Sequence, residues 1–336
     1  MKPYLSIIIP SYNALATLPT LLTSLAKSSY KQFEVIIGDD ASIEQVTVAN
    51  LRPKKFSFPL LVIRLLRNLG PAAARNAAVK KARGAVLVFL DSDVEVYPDT
   101  LELIAKKFQA DHDLTALTGV WDKHQRSSAF FPQFKAMRDW SYWTNERDRD
   151  GYYYLFSTRI AAIKRDVFNR LGGFNEAFRQ MEDVELTYRI AKRYAIIFAP
   201  DVRVHHEFEG LFPVAKKYFW RSVYWSKLYQ VRRKFDPVAT TMWETLAAAT
   251  GVGAVGTLAL GILVYFLFPL PIVKVLSLFS FAILLSLHIL LLWKFLLFVY
   301  REKGTGFAIW SLFTGLALYC VIVAGALYFR LSRPLG

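Results

Sequence analysis

Cysteine is almost missing from this chain: Cys320 is the only one among 336 residues, and it lies in an apolar run. A disulfide framework and any thiolate metal site are thereby excluded. Two phosphate cradles are missing too. No Gly-x-Gly-x-x-Gly follows the first strand-like segment, and no Gly-Lys-Ser or Gly-Lys-Thr loop occurs. A dinucleotide oxidoreductase or a P-loop ATPase is therefore disfavoured. Acids are outnumbered, 27 against 42 Lys and Arg, giving a formal charge of +15. That balance suits nucleic acid, an anionic membrane surface or a phosphorylated substrate. Long apolar runs are absent before residue 245, although the apolar fraction reaches 54%. No secretory leader is expected, because the chain opens directly into a short strand. No Ser/His/Asp set suited to covalent catalysis stands out.

What is present begins with residues 85–93. Val86-Leu87-Val88-Phe89-Leu90 reads as a strand buried on both faces, and Asp91-Ser92-Asp93 follows at its C-terminal end. In an open α/β sheet that end faces the ligand crevice. Two hard oxygen ligands there suit a divalent cation that shares its remaining sites with a diphosphate. An acidic strand-to-loop turn is the plainer alternative.

Around this stretch strand and helix alternate. Residues 5–9, 33–37, 60–66 and 85–90 read as strands, and 14–27 and 71–81 as helices, the second opened by Pro71. This order argues an α/β fold with a doubly wound, mostly parallel sheet. Its topology predicts that Ser11, Asn13, Asp40, Asn68 and Asp91 gather on one edge. Arg75, on the helix after Gly70-Pro71, can reach an anion as a bidentate donor or simply face solvent. Further on, 100–108 reads as a helix capped by Asp99, 114–120 and 152–163 as strands, and 166–171 as a helix ended by Gly172-Gly173. A last helix opens at Met181-Glu182-Asp183, where acids are also favoured by the helix dipole alone.

Six segments occur in order: Pro10-Ser11-Tyr12-Asn13, Asp39-Asp40-Ala41-Ser42, Asn68-Leu69-Gly70-Pro71 through Arg75-Asn76, Asp91-Ser92-Asp93, Gly172-Gly173-Phe174, and Glu182-Asp183-Val184-Glu185-Leu186. The set resembles the inverting nucleotide-sugar transferases of glycosyltransferase family 2, which use the Rossmann-like GT-A fold, over roughly residues 3–210. The resemblance implies a nucleotide-diphospho-sugar donor and a divalent metal, Mg or Mn. It implies donor contacts from Pro10, Tyr12, Asp40, Arg75 and Asp91, with Asp40 at the base and Asp91 facing the ribose or diphosphate. It places Asp93 on the metal with Asp91, and makes Asp183 the catalytic base with Glu182 beside it. Relatives often carry a histidine near position 205, which implies that His205 touches the metal or the diphosphate. His206 is expected to close the domain against its last helix.

Inverting transfer needs an acceptor hydroxyl deprotonated as it attacks from the face opposite the leaving diphosphate, by analogy with glycoside hydrolysis. The Gln-x-x-Arg-Trp signature of processive synthases is absent, which favours one sugar per encounter. A Gln-His-Pro-Pro-Glu run after Asp93 is absent too. Transfer to a lipid-linked or polysaccharide acceptor is therefore preferred over a polyprenyl-phosphate acceptor. A catalytically silent membrane scaffold is the reading from another class.

Residues 216–234 carry seven Lys and Arg and no acid, and Val214, Tyr218, Trp225 and Tyr229 share one helical face. Basic groups interleaved with Trp and Tyr mark a helix at a membrane surface rather than a nucleic-acid site. Runs 245–268, 275–300 and 305–329 each exceed the ~20 residues that span a bilayer. The expected organisation is a transferase domain over 1–211, a basic interfacial region over 212–243, and three transmembrane helices within 244–336. The protein is then multi-pass in the cell membrane, its catalytic domain cytoplasmic and its C-terminus across the membrane.

Overall fold

The computed structural model describes residues 2–51, 56–147, 152–232, 241–267, 271–332, the side chains of 231 and 232 excepted. Arg233, Lys234 and Arg333 lie outside the described residues, as does the turn at 268–270. The chain forms two compact units, Met1–Ser128 with Arg147–Phe208, and Ala129–Glu146 with Glu209–Gly336.

The first unit is built on an eight-stranded sheet. In chain order it holds β1 (Leu5–Ser11), α1 (Leu18–Ala26), β2 (Phe33–Asp39), β3 (Leu60–Arg64), α2 (Pro71–Val79), β4 (Val86–Leu90), β5 (Val94–Val96), α3 (Thr100–Ala110) and β6 (Ala116–Trp121). After the segment that belongs to the second unit come β7 (Ile160–Lys164), α5 (Arg165–Arg170), α6 (Glu182–Ala191) and β8 (Ile196–His206). Strand order is β3-β2-β1-β4-β7-β6-β8-β5. The four strands from β3 to β4 are mutually parallel, β7 runs against both its neighbours, and β5 is antiparallel to β8. The expected mostly parallel α/β sheet is what forms. β4 is buried along its whole length, as its uninterrupted apolar sequence requires.

Helix α2 is pressed onto the sheet because its inner face is alanine. Ala72, Ala73, Ala74 and Ala78 are all buried, and a Cβ at Gly38 of β2 would stand 2.2 Å from the carbonyl oxygen of Ala74. This backbone-to-backbone approach turns Arg75 into the interior instead of toward solvent.

Two local readings change. Only the end of 152–163 is a strand. Ahead of β7 the Phe156 amide donates to the Thr187 hydroxyl and the Ser157 amide to the Leu155 carbonyl, so neither joins a ladder. Asp99 stands at the N-cap of α3, but its side chain makes no capping hydrogen bond.

The second unit is helical among its described residues: α4 (Phe130–Thr144), α7 (Leu211–Arg232), α8 (Met242–Leu267), α9 (Pro271–Leu291), α10 (Trp293–Lys303) and α11 (Thr305–Leu331). α8, α9 and α11 are long and apolar enough to cross a membrane. The run 275–300, expected as one span, is two helices. The break at Leu292, whose ψ is 5°, falls where an all-round apolar sequence becomes one-sided. Phe295 and Val299 of α10 pack against Phe134 and Met137 of α4, while Lys294, Arg301 and Lys303 share the same short helix.

Gly38→Ala tests the helix–sheet approach. It should cost about 1–3 kcal/mol, the usual range for overpacking, read as a lowered unfolding midpoint in detergent. An unchanged midpoint contradicts the contact.

Candidate active site

Three loops at the C-terminal edge of the parallel strands are tied together by carboxylates. Asp39 is fully buried; its Oδ1 accepts the amide and hydroxyl of Ser42, and its Oδ2 accepts Arg64 Nη1 at 2.6 Å. Asp40 accepts the Leu69 and Gly70 amides, one on each oxygen, both at 2.8 Å. The loop after β1 joins through Asn13, whose amide donates to Ser42 Oγ and whose Oδ1 accepts the Ile43 amide. Ser11, Asn13, Asp40 and the Asn68 loop therefore meet on one edge. Pro10 sits at the end of β1, and Tyr12 just beyond it is half exposed.

Arg75 is the centre of the site. It is 3% exposed, and its Nη1 donates to Glu182 Oε1 at 2.6 Å while Nη2 reaches Asp91 Oδ1 at 3.0 Å. The Phe174 ring lies 5.6 Å from the guanidinium. Asn76, one residue on, fixes Phe174 by donating to its carbonyl and accepting its amide. Segments 98 and 107 residues away in sequence are thus pinned to one helix. The alternative of a solvent-facing Arg75 fails. Its Nη1 and Nη2 both hold acids of the chain.

Glu182 and Asp183 are separated by this arrangement. Glu182 is buried and committed to Arg75. Asp183 is half-buried, its Oδ1 accepting the Val184 amide at 2.8 Å. Met181, which opens α6, has a left-handed backbone (φ 66°), as do Asn13 and Ala41. Three such side-chain-bearing residues in the loops of one site store backbone strain where a constellation must be held.

Asp91 has its carboxyl raised above the ordinary range. Burial is the leading cause; Arg75 pulls the other way, and Asp93 and Glu182 add to the rise. Its side chain keeps 33% of its surface in solvent, which limits the effect of burial. Asp93 is the more open acid, and His206 Nε2 lies 3.3 Å from its Oδ2. The β5–β8 register sets this pair by placing His206 opposite Val94. Successive residues on a strand point to opposite faces, so His205 turns away and contacts Glu207 Oε1 at 2.7 Å. Of the two histidines, His206 rather than His205 is the one that stands beside Asp93. Trp121 stacks on the His206 ring at 5.0 Å, with Phe208 edge-on at 4.6 Å.

Among the described residues no three His, Cys, Asp or Glu side chains form a group able to hold a metal ion unaided. Two cis ligands of an octahedral cation at ~2.1 Å stand roughly 3 Å apart. The Asp93–His206 separation matches that spacing, and Asp91 adds an oxygen beside it. The residues fit a divalent ion whose remaining ligands come from water and a diphosphate. Asn76 and Phe174 stood in two of the ordered motifs without a role of their own, and His206 was expected to close the domain rather than to stand beside Asp93.

Arg75→Ala should destabilise the protein by about 3–5 kcal/mol, because it strands a buried acid. Arg75→Lys should fall between that variant and the native chain; a neutral Arg75→Ala in denaturant titration contradicts the bridge. Asp91 supplies a pH test. Its folded carboxyl holds the proton more tightly than the unfolded one, so it opposes folding least below the ordinary carboxylate range and most once pH exceeds its raised value. Stability of the native chain relative to Asp91→Asn should therefore increase as pH falls through that window. A difference that shrinks instead contradicts the assigned direction.

Comparison with known proteins agrees with this architecture. An uncharacterized glycosyltransferase of Haemophilus influenzae is 30% identical over 191 residues, 55% of this chain and 61% of that protein. The Escherichia coli UDP-Glc:alpha-D-GlcNAc-diphosphoundecaprenol beta-1,3-glucosyltransferase WfgD is 42% identical over 97 residues, 28% of this chain and 36% of its own. The alignments thus span less than two thirds of either relative. In structure, the Pyrobaculum calidifontis mannosyltransferase PcManGT, solved with GDP-Man and Mn2+, superposes with a TM-score of 0.59 at 18% identity, covering 99% of this chain and 89% of that one. Residues 6–172 match the glycosyl transferase family 2 model, and with the GT-A-like sheet and its edge of paired acids they make this chain a member of that family.

Proposed function

We propose that this chain is a membrane-anchored, inverting glycosyltransferase that moves one sugar from a nucleotide-diphospho-sugar to a lipid-linked or polysaccharide acceptor. The observation that carries the reading is the Arg75 bridge, which brings the acids after β4 to the start of α6 beside the open Asp93–His206 pair. The acceptor class is supported by the E. coli relative, whose name specifies a diphosphoundecaprenol-linked acceptor. Because nucleotide-sugars are cytoplasmic metabolites, the catalytic unit belongs on the cytoplasmic side.

Position supports the following roles. Tyr12 and Pro10 border the entry to the donor site, and Asp40 acts by holding the Leu69–Gly70 loop that receives the nucleotide. Asp91 and Asp93 face the ribose and diphosphate, with His206 beside them. A bound Mg or Mn would supply Lewis-acid neutralisation of the departing diphosphate. Asp183, at the N-terminus of α6, takes the proton of the acceptor hydroxyl as that oxygen attacks the anomeric carbon. Glu182 is a positioning residue: it anchors Arg75, and through Arg75 it fixes Asp91. Inversion needs no covalent nucleophile.

Asp183→Asn should leave metal-dependent binding of the nucleoside diphosphate intact while turnover falls by about 10²–10⁴. Asp93→Asn should weaken that binding instead. Thermal-shift screening of nucleotide-sugars with Mg or Mn, followed by release of nucleoside diphosphate in detergent, measures both. Loss of binding in Asp183→Asn with turnover retained contradicts the assignment of the base. Stabilisation by no nucleotide-sugar points to the silent scaffold.

A further inference from the structure

The second unit distributes its three apolar helices unequally. α8 and α9 pair antiparallel along most of their length: Gly251 lies against His288, Gly253 against Leu284 and Gly261 against Ser277. Small residues at such contacts are the usual means of close packing between helices in lipid. With 26 and 21 residues, the two reach about 39 and 31 Å, enough for a hydrocarbon layer of roughly 30 Å. Their outer faces, from Leu258 to Leu267 and from Ile272 to Leu290, expose large apolar side chains.

α11 does not extend this pair. It meets α8 near the base of the hairpin, where Tyr319 donates to Glu244 and Leu316 touches Gly251. One face of α11 is instead covered end to end by charged helices. The Phe307 ring lies tilted 4.8 Å from that of Phe130 of α4, and Leu318 joins the cluster of Phe134 and Phe295. Beyond it the Ile322 carbonyl accepts Ser222 Oγ of α7 at 2.6 Å, and a Cβ on Gly325 would meet the Phe219 carbonyl at 2.4 Å. Tyr328 closes the row against Phe219 and Trp220. From Phe307 to Tyr328 this row runs about 31 Å. The other face, with Ile309, Trp310, Phe313, Leu327 and Leu331, is exposed and apolar.

α7 decides where that row can lie. Its face toward the rest of the unit includes Val214, Tyr218 and Ser222, so the face expected from sequence to meet lipid is partly covered by protein. Its exposed residues of membrane-surface type include Lys216, Lys217, Trp220, Arg221, Tyr224 and Lys227. If α11 crossed the bilayer, the α7 segment fixed to its last ten residues would carry these cations through hydrocarbon. A charged side chain is costly at the centre of a membrane helix.

We propose that α7 and α11 lie together in the membrane surface, α7 presenting Lys216, Arg221 and Lys227 to anionic lipid headgroups, and that only the α8–α9 hairpin crosses. The C-terminal end of α11 then stays on the side of the catalytic unit, to which α7 is joined through Glu209 and Gly210. Two crossings also remove a conflict in the charge pattern. Three would leave Arg330 and Arg333 on the far side, against the positive-inside rule. Two leave Lys274 as the basic residue of the far turn, with Lys294, Arg301, Lys303, Arg330 and Arg333 on the near side.

Two reporters fused after Ser332 in a bacterial host test this: green fluorescent protein, which folds in the cytoplasm, and alkaline phosphatase, which is active after export. Fluorescence with phosphatase activity at least tenfold below an exported control is expected. Active phosphatase without fluorescence overturns the proposal, because α11 then crosses. In the full chain carrying Cys320→Ser, Lys274→Cys should react with a membrane-impermeant maleimide in intact cells. Reaction only after permeabilisation overturns the crossing of the hairpin.

Discussion

A buried guanidinium is the constraint on which the rest of the site depends. Arg75 enters the interior because α2 approaches β2 through alanines and Gly38, and a buried arginine must find carboxylates or be expelled. It finds Asp91 at the end of β4 and Glu182 at the start of α6. This single group converts three loops of separate origin into one edge with fixed spacing. The same bridge separates two adjacent acids: Glu182 is buried against Arg75, whereas Asp183 is half-buried and accepts the Val184 amide. Asp91 sits between the bridge and Asp93, where burial and two neighbouring acids outweigh the attraction of Arg75 and raise its carboxyl.

Much of this was legible in sequence, and the exceptions have physical causes. The strand and helix order through β4 follows from apolar runs bounded by Gly, Pro and Asp, which record local conformation directly. The gathering of Asn13, Asp40 and Asp91 follows from topology alone, because parallel strands present their C-terminal ends together. The choice between His205 and His206 was not legible. It turns on the register of a three-residue strand, β5, too short to leave a pattern, and a one-residue slip exchanges the two faces. The burial of Arg75 was hidden as well: its two partners lie 16 and 107 residues away. In the run 275–300, hydropathy averages over the change at Leu292, where the side chains become one-sided without becoming polar overall.

The helical unit shows the same limit of composition as a guide. α11 is as apolar as α8 and α9, with a mean hydropathy of 2.1 against 1.9 and 2.2. What distinguishes it is its partners: α8 and α9 pack chiefly on each other, whereas α11 packs on α4, α7 and α10, which carry charge, as well as on one end of α8.

The central claim is that the edge organised by Arg75 receives a metal–diphosphate group beside Asp93 and His206. Anomalous diffraction from crystals grown with Mn2+ and a nucleoside diphosphate tests it most directly. The account predicts one manganese peak within coordination distance of Asp93 and His206, with the diphosphate on the same ion and the Arg75–Glu182 pair intact. A peak on His205 and Glu207, or a diphosphate bound away from the β4 edge, would contradict it.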